Sequence, residues 1–132
     1  MIIKGIEHVS ISVSDIDKAT KFYRDILGFK HLETVEDGPK DLVYFDIAGK
    51  SRLELFYSRG EALKPIIPES EHEPLGYVHL AFMVDDVDSW AKHFEKHNVP
   101  IVFGPIDLPQ LSMRVCLFED PDGNVLEICV PI

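Results

Sequence analysis

The sequence has few of the features that mark secreted, membrane-bound or disulfide-rich proteins. Its 132 residues include two cysteines, too few for a disulfide framework. No apolar run approaches the roughly 20 residues that a helix needs to span a bilayer. The N-terminal stretch MIIKGIEH carries no signal-peptide pattern, because its apolar part is short and is interrupted by a glutamate. We therefore expect a cytoplasmic protein in which Cys116 and Cys129 are free thiols.

Positive charge is also scarce. The chain has 13 Lys and Arg residues against 23 Asp and Glu residues, for a formal net charge of -10. This balance disfavours nucleic acids and anionic membrane surfaces as partners, since both are bound through lysine and arginine. It is compatible with a small-molecule pocket or a cationic ligand. The length and the 45% hydrophobic content predict one folded domain, 1–132.

The chain contains two copies of one pattern. GIEHVSISVSDID at 5–17 aligns without a gap with GYVHLAFMVDDVD at 76–88, and the alignment matches a glycine, a histidine, a valine and a D-x-D. Such self-similarity at half the chain length indicates two copies of a supersecondary unit. We expect two β-α-β-β-β modules, 1–57 and 75–132, joined by a connector at 58–74 that is rich in proline and glutamate.

Hydrophobic periodicity and turn residues locate the elements of each module. The predicted strands are 3–13, 29–35, 41–47, 52–57, 76–84, 100–103, 111–118 and 125–130, and the predicted helices are 15–27 and 86–97.

One histidine and one glutamate in each module stand out within these strands. Side chains alternate between the two faces of a strand, so His8 and His79 fall on the face opposite the all-apolar one. The same argument applies to Glu54 and Glu127, each of which lies between apolar neighbours. A carboxylate in that setting is costly unless it is paired or binds a cation. Two imidazoles and two carboxylates suit a divalent first-row metal.

The same alternation selects further side chains for a substrate pocket. The two arginines among them would either anchor a substrate carboxylate or phosphate, or bridge strands at the sheet surface. By contrast, His93 and His97 are expected on a helix surface, because HFEKH lacks the glutamate of an H-E-x-x-H metal motif. The candidate substrate-binding residues are Tyr44, Arg52, Phe56, Tyr77, Arg114 and Phe118.

Three stretches resemble a known family. They are EHVSISVSDIDKATKFYRDILGF, VHLAFMVDDVD and DPDGNVLEI, and they resemble the vicinal oxygen chelate superfamily. That superfamily includes glyoxalase I, bleomycin-resistance proteins, extradiol dioxygenases and fosfomycin-resistance enzymes. The resemblance implies an α+β fold in which two βαβββ modules form a U-shaped, eight-stranded mixed sheet around a metal, with helices on the outer face.

The resemblance also implies a site and a reaction. His8, Glu54, His79 and Glu127 match the ligand set of the compact bacterial glyoxalase I proteins. One nickel, cobalt or zinc ion is then expected in preference to iron or manganese. A lactoylglutathione lyase-like isomerisation would use Glu127 as the catalytic base and Glu54 as its partner or alternate. Members commonly form homodimers, and the resemblance leaves open whether the ligands meet within one chain or across a dimer.

Other activities in the same superfamily remain open. A dioxygenase would need iron and open coordination positions. Both the extradiol dioxygenases and the fosfomycin-resistance enzymes bind their metal through three ligands, so Glu54 would not be needed as a ligand in either case. A non-enzymatic binding protein of the bleomycin-resistance type would suit the negative net charge. The retained histidines and glutamates favour an enzyme over such a binding protein.

Overall fold

The structure, a computed structural model, describes residues 1–60 and 76–132. Most of the predicted connector at 58–74 lies outside the described residues. The chain divides after Ile66 into two compact units. Each unit is described by itself.

The first unit forms one four-stranded sheet with a helix. Its elements are β1 His8–Ser12, α1 Ile16–Lys21, β2 Lys30–Asp37, β3 Lys40–Ile47 and β4 Ser51–Ser58. The strand order is β1-β4-β3-β2, with β1 parallel to β4 and the other neighbours antiparallel. This order places β4 in the interior of the sheet, with β1 and β3 on either side of it.

The second unit repeats this topology. Its elements are β5 Leu80–Met83, α2 Val87–Lys96, β6 Ile101–Leu108, β7 Met113–Glu119 and β8 Val125–Pro131. The strand order β5-β8-β7-β6 again places the last strand between the first and the third. The prediction of two β-α-β-β-β modules, an α+β fold, is confirmed.

Several element boundaries differ from the predictions. β1 begins at His8 rather than at residue 3, because β4, the strand with which it pairs, begins at Ser51. β5 is likewise shorter than the predicted 76–84. β6 is longer than the predicted 100–103, since it stays paired with β7 across two register shifts. The predicted first helix is α-helical only to Lys21 and continues as a short π-helical segment, Phe22–Ile26.

The repeated D-x-D motif forms helix caps. Oδ1 of Asp15 accepts a hydrogen bond from the Lys18 backbone N–H at 2.9 Å. Oδ1 of Asp86 accepts from the Asp88 and Ser89 N–H groups at 2.9 and 3.1 Å. An aspartate at this position satisfies backbone donors that the helix itself cannot. The motif therefore serves to start the two helices.

Each sheet buries one face under its helix. In the first unit this core includes Tyr23 of the helical segment with Phe45 and Leu53 of the sheet, all fully buried. In the second unit the ring centroids of Phe94 on α2 and Phe118 on β7 lie 4.3 Å apart. The opposite face of each sheet is here called the open face; in the first unit it carries Ser10, Tyr44 and Glu54, and in the second it carries Glu127. Among the described residues no helix is long and apolar enough to cross a membrane.

Candidate functional site

The open face of the first unit holds a buried carboxylate. Strand register places Glu54 of β4 between Ser10 of β1 and Tyr44 of β3. Glu54 is 8% exposed. The Ser10 hydroxyl donates to Oε1 of Glu54 at 2.6 Å, and the Tyr44 hydroxyl donates to Oε2. Both carboxylate oxygens therefore accept a hydrogen bond from a neighbouring strand.

These hydrogen bonds decide the charge of Glu54. Burial alone would raise the pKa of this carboxyl, but the bonds from Ser10 and Tyr44, with the nearby His8 and Arg52, outweigh burial and lower it below 4.5. Donating to the carboxylate raises the pKa of the Tyr44 hydroxyl. Glu54 is therefore an ionised carboxylate at neutral pH, although it is buried.

His8 lies beside this carboxylate. Its ring meets the Tyr44 ring edge-on, with centroids 6.3 Å apart. Its Nδ1 contacts the Glu7 carboxylate, so Nε2 is the nitrogen that remains to bind another group. Arg52 contacts Glu7 as well, and its guanidinium carbon lies 4.4 Å from the centroid of the Tyr44 ring. The Arg52 side chain also approaches Glu33, at 3.4 Å, so two carboxylates balance its charge.

The second unit holds the corresponding histidine–glutamate pair. His79, immediately before β5, places Nε2 at 3.1 Å from Oε2 of Glu127 on β8. The neighbours of Glu127 in the sheet are Ala81 and Leu117, at the positions that Ser10 and Tyr44 take beside the other carboxylate. The repeat thus preserves the histidine and the glutamate but changes the side chains around the glutamate.

Cys129 lies two residues beyond Glu127 on β8. Its Sγ lies 3.6 Å from the Phe82 carbonyl oxygen, to which the thiol donates. Burial, followed by the negative charge of Glu127, raises the pKa of this thiol. Cys129 is therefore a protonated packing residue beside the histidine–glutamate pair.

The structure places the other predicted pocket residues in three settings. Tyr44, Arg52 and Phe56 share the open face of the first unit, where the Lys40 ammonium lies 5.1 Å from the centroid of the Phe56 ring. Tyr77 precedes β5 and is fully exposed. Arg114 and Phe118 differ from the expectation, because they lie on the helix side of the second sheet.

The register of β7 explains this difference. Leu117 pairs with Glu127, so its neighbour Phe118 points to the opposite side, where it is 0% exposed and packs on Phe94. The predicted alternation was ambiguous because residues 115–118, VCLF, are apolar without interruption. The side that Phe118 occupies follows from its pairing partner, which the sequence pattern does not specify.

Arg114 forms ion pairs on the helix side of the second sheet. Its guanidinium donates to both carboxylate oxygens of Asp88 in the first turn of α2, at 2.8 and 2.7 Å, and to Asp107 at 2.7 Å. The bidentate bond from Arg114 lowers the pKa of the Asp88 carboxyl. Two carboxylates thus occupy the guanidinium, and the contact with Asp107 on the neighbouring strand matches the expected alternative of a bridge between strands rather than a substrate anchor. Glu7 was not predicted as a site residue, because its only signal in the sequence is that it directly precedes His8.

The four predicted ligands form one histidine–glutamate pair in each unit. Within 1–60 and 76–132, no group of three or more His, Cys, Asp or Glu side chains is placed to hold a metal ion. The chemistry of the donors nevertheless fits a divalent first-row metal. In the first unit an ionised buried carboxylate lies near an imidazole whose Nδ1 is engaged, and the second unit by itself holds an imidazole in contact with a carboxylate.

A match to a family model identifies the protein family to which this chain belongs. The model of the Glyoxalase/Bleomycin resistance protein/Dioxygenase superfamily matches residues 5–128. The chain belongs to this superfamily. Members of the glyoxalase/bleomycin resistance/dioxygenase superfamily generally use a divalent metal and bind small-molecule substrates.

Curated relatives in this superfamily carry different names. The chain is 36% identical over 128 residues to uncharacterized protein YaeR of Escherichia coli strain K12, covering 96% of this chain and 95% of that protein. It is 34% identical to metallothiol transferase FosB of Staphylococcus haemolyticus, covering 96% and 83%. It is 31% identical to lactoylglutathione lyase of Haemophilus influenzae, covering 92% and 89%.

Solved structures share the superfamily fold. The glyoxalase family protein from Enterococcus faecalis is 27% identical with a TM-score of 0.80, covering 98% of this chain and 100% of that one. The antibiotic binding protein TnmS3 from Streptomyces sp. CB03234 is 28% identical with a TM-score of 0.77, covering 100% and 99%. The superfamily therefore includes both enzymes and a binding protein among this chain's neighbours.

Proposed function

We propose that the protein is a metal-dependent lyase or isomerase of the glyoxalase type, with a reaction like that of lactoylglutathione lyase. His8, Glu54, His79 and Glu127 would hold one nickel, cobalt or zinc ion. The observation that carries the proposal is the repeated pair, one histidine beside one glutamate in each unit. When bound, the metal would act as a Lewis acid toward two neighbouring substrate oxygens.

The proton transfer is the task of the protein's own carboxylates. Glu127 takes a proton from the substrate carbon next to a carbonyl and returns it to the neighbouring carbon, so that no proton is gained or lost overall. Its side chain is 15% exposed, which limits exchange of that proton with bulk water. Glu54 acts as the partner carboxylate, and its hydrogen bonds to Ser10 and Tyr44 keep it ionised.

The open face of the first unit supplies the candidate substrate contacts. Tyr44, Arg52 and Phe56 lie there beside Glu54, and we include them and the exposed Tyr77 in the proposed substrate site. Because Glu7 and Glu33 already balance the charge of Arg52, we assign it a stacking and orienting role rather than capture of a substrate anion. We further propose that the protein acts as a homodimer in the cytoplasm, as superfamily members often form dimers.

Metal analysis tests the proposal first. The untagged protein, purified without chelator, is expected to hold about one nickel, cobalt or zinc ion per chain by mass spectrometry. The variant His8→Ala/His79→Ala should lose that metal and the isomerisation of the hemithioacetal formed by methylglyoxal and glutathione. The matched control His93→Ala/His97→Ala removes two histidines of α2 and its end and should retain both. Wild-type protein that takes up none of these ions would refute the enzyme proposal.

Transfer of a thiol is a second candidate, favoured by one observation. Both oxygens of Glu54 already accept hydrogen bonds, which suits a three-ligand set of His8, His79 and Glu127. The relative named metallothiol transferase is 34% identical to this chain. If the protein is a thiol transferase with these three ligands, the Glu54→Gln variant should still bind the metal. The metal-loaded protein should also consume a low-molecular-weight thiol when an electrophilic small molecule is present.

A further inference from the structure

The residue that precedes the repeated histidine differs between the two units. In the aligned repeat, Glu7 precedes His8, whereas Val78 precedes His79. The Glu7 carboxylate contacts Nδ1 of His8. The hydrocarbon side chain of Val78 offers no acceptor for a hydrogen bond. The repeat therefore preserves the histidine but not the acceptor in front of it.

The contact with Glu7 determines which imidazole nitrogen carries the proton. An ionised carboxylate accepts hydrogen bonds and has no hydrogen to donate, so a neutral imidazole in this contact carries its proton on Nδ1. Nε2 then keeps the lone pair that a metal requires of a histidine ligand. The hydrogen-bond partner of the other ring nitrogen commonly fixes both the tautomer and the orientation of such a ligand.

Arg52 holds the Glu7 carboxylate from the neighbouring strand. Its backbone N–H donates to the Glu7 carbonyl oxygen at 3.0 Å, and its guanidinium contacts the Glu7 carboxylate. The guanidinium also lies 4.4 Å from the centroid of the Tyr44 ring and 3.4 Å from Oε1 of Glu33. Main-chain and side-chain contacts with one residue thus restrict Glu7, although its side chain is 65% exposed. The second unit has Val125 at the corresponding place on β8.

We propose that Glu7 is a positioning residue that keeps the proton of His8 on Nδ1 and leaves Nε2 free for a ligand, and that Arg52 holds Glu7 in place. The inference rests on the proposed function in taking His8 as a metal ligand. It means that the tautomer and ring orientation of this imidazole are fixed before a metal binds. It also assigns the Arg52 guanidinium to the protein's own carboxylate rather than to a substrate anion.

The tautomer of His8 tests the inference without metal. Proton–nitrogen correlation spectra of the imidazoles distinguish the two neutral tautomers at about pH 8.5, well above the ordinary imidazole pKa of roughly 6.5. The His8 signals are assigned by their loss in His8→Ala. We expect the Nδ1–H form in wild type and a shift toward the Nε2–H form in Glu7→Ala. The Nε2–H form in wild type would overturn the inference.

Zinc affinity tests the consequence for metal binding. Kd for zinc, measured by competition with a chromophoric chelator, is expected to rise about tenfold to a hundredfold in Glu7→Ala. Glu33→Gln is the matched control, because it also removes a negative charge from the Arg52 guanidinium, and it should bind as wild type does. In a His8→Ala background, Glu7→Ala should have no further effect, since the imidazole that it positions is gone. An unchanged Kd in Glu7→Ala would overturn the inference.

Arg52→Met distinguishes positioning from simple electrostatics. Loss of a positive charge would by itself strengthen the binding of a cation. If Arg52 holds Glu7 in place, zinc binding should instead weaken severalfold, because the carboxylate is no longer fixed beside the imidazole. Tighter zinc binding in Arg52→Met would overturn the role given to Arg52.

Stability separates positioning from a general structural effect. Exposed ion pairs contribute little to folding, so the urea midpoint of Glu7→Ala should stay close to that of wild type. A large fall in that midpoint beside the loss of zinc affinity would overturn the inference. Wild-type protein that binds no zinc would refute the proposed function, and the tautomer of His8 then decides the inference alone. If Glu7→Ala fails to fold, Glu7→Val, which introduces the residue type that precedes His79, provides the same test.

Discussion

Replacing Phe118 discriminates between a core role and a substrate-binding role for this residue. Strand alternation suggests that Phe118 lines the pocket, whereas the structure packs its fully buried ring on Phe94 of α2. We expect Phe118→Ala to reduce the free energy of unfolding strongly. We expect the conservative Phe118→Leu to leave KM unchanged, because the side chain lies away from the open face.

The magnitude follows from burial and ring contact. A buried aromatic side chain covers roughly 150–250 Å², and truncation to alanine removes most of this area and leaves a cavity. Phenylalanine-to-alanine changes in cores cost about 3–5 kcal/mol, and the close contact of the Phe94 and Phe118 rings places this site near the middle of that range, at about 4 kcal/mol. That is about a quarter or more of the roughly 5–15 kcal/mol by which a typical domain is stable.

Urea unfolding of the metal-free protein, followed by circular dichroism, measures this loss. Removal of metal separates core packing from any stabilisation by ligand binding. A double-mutant cycle with Phe94→Leu should show coupling between the two rings. A loss below about 1 kcal/mol in Phe118→Ala, or a raised KM in Phe118→Leu with stability unchanged, would refute the core placement.

Three further outcomes are expected. Asp86→Ala should cost about 1 kcal/mol of unfolding free energy, because the α2 backbone donors lose their cap; Asp86→Asn should restore most of it. Cys116 should resist alkylation in the native protein at pH 8 and react after unfolding, since burial raises its pKa to about 11; fast native reaction would contradict its placement in the core. Glu54 has a lowered pKa, so its ionised form stabilises the native state above pH 4.5, and this contribution is lost as pH falls through the folded pKa. The acid limb of the metal-free stability profile should therefore be shallower in Glu54→Gln, and equal slopes would count against the Ser10 and Tyr44 bonds.

Local sequence signals predicted the helices and strands well where the periodicity was unambiguous. α2 was predicted as 86–97 and runs Val87–Lys96, because an aspartate cap and a clear apolar stripe define it. β3 and β4 were each predicted to within one residue at either end. Prediction was weaker at the first strand of each module and at β6, where the extent of pairing with another strand sets the ends.

The sequence by itself determined the repeat, the fold class and the histidine–glutamate pairs, because the repeat and the alternation of side chains are local properties of the chain. The tertiary structure alone decided what surrounds those pairs. Strand register places Ser10 and Tyr44 beside Glu54. It also places Arg114 on the helix side of its sheet, where it binds Asp88. Such contacts join residues far apart in sequence, so they depend on strand order and register, which no local pattern encodes.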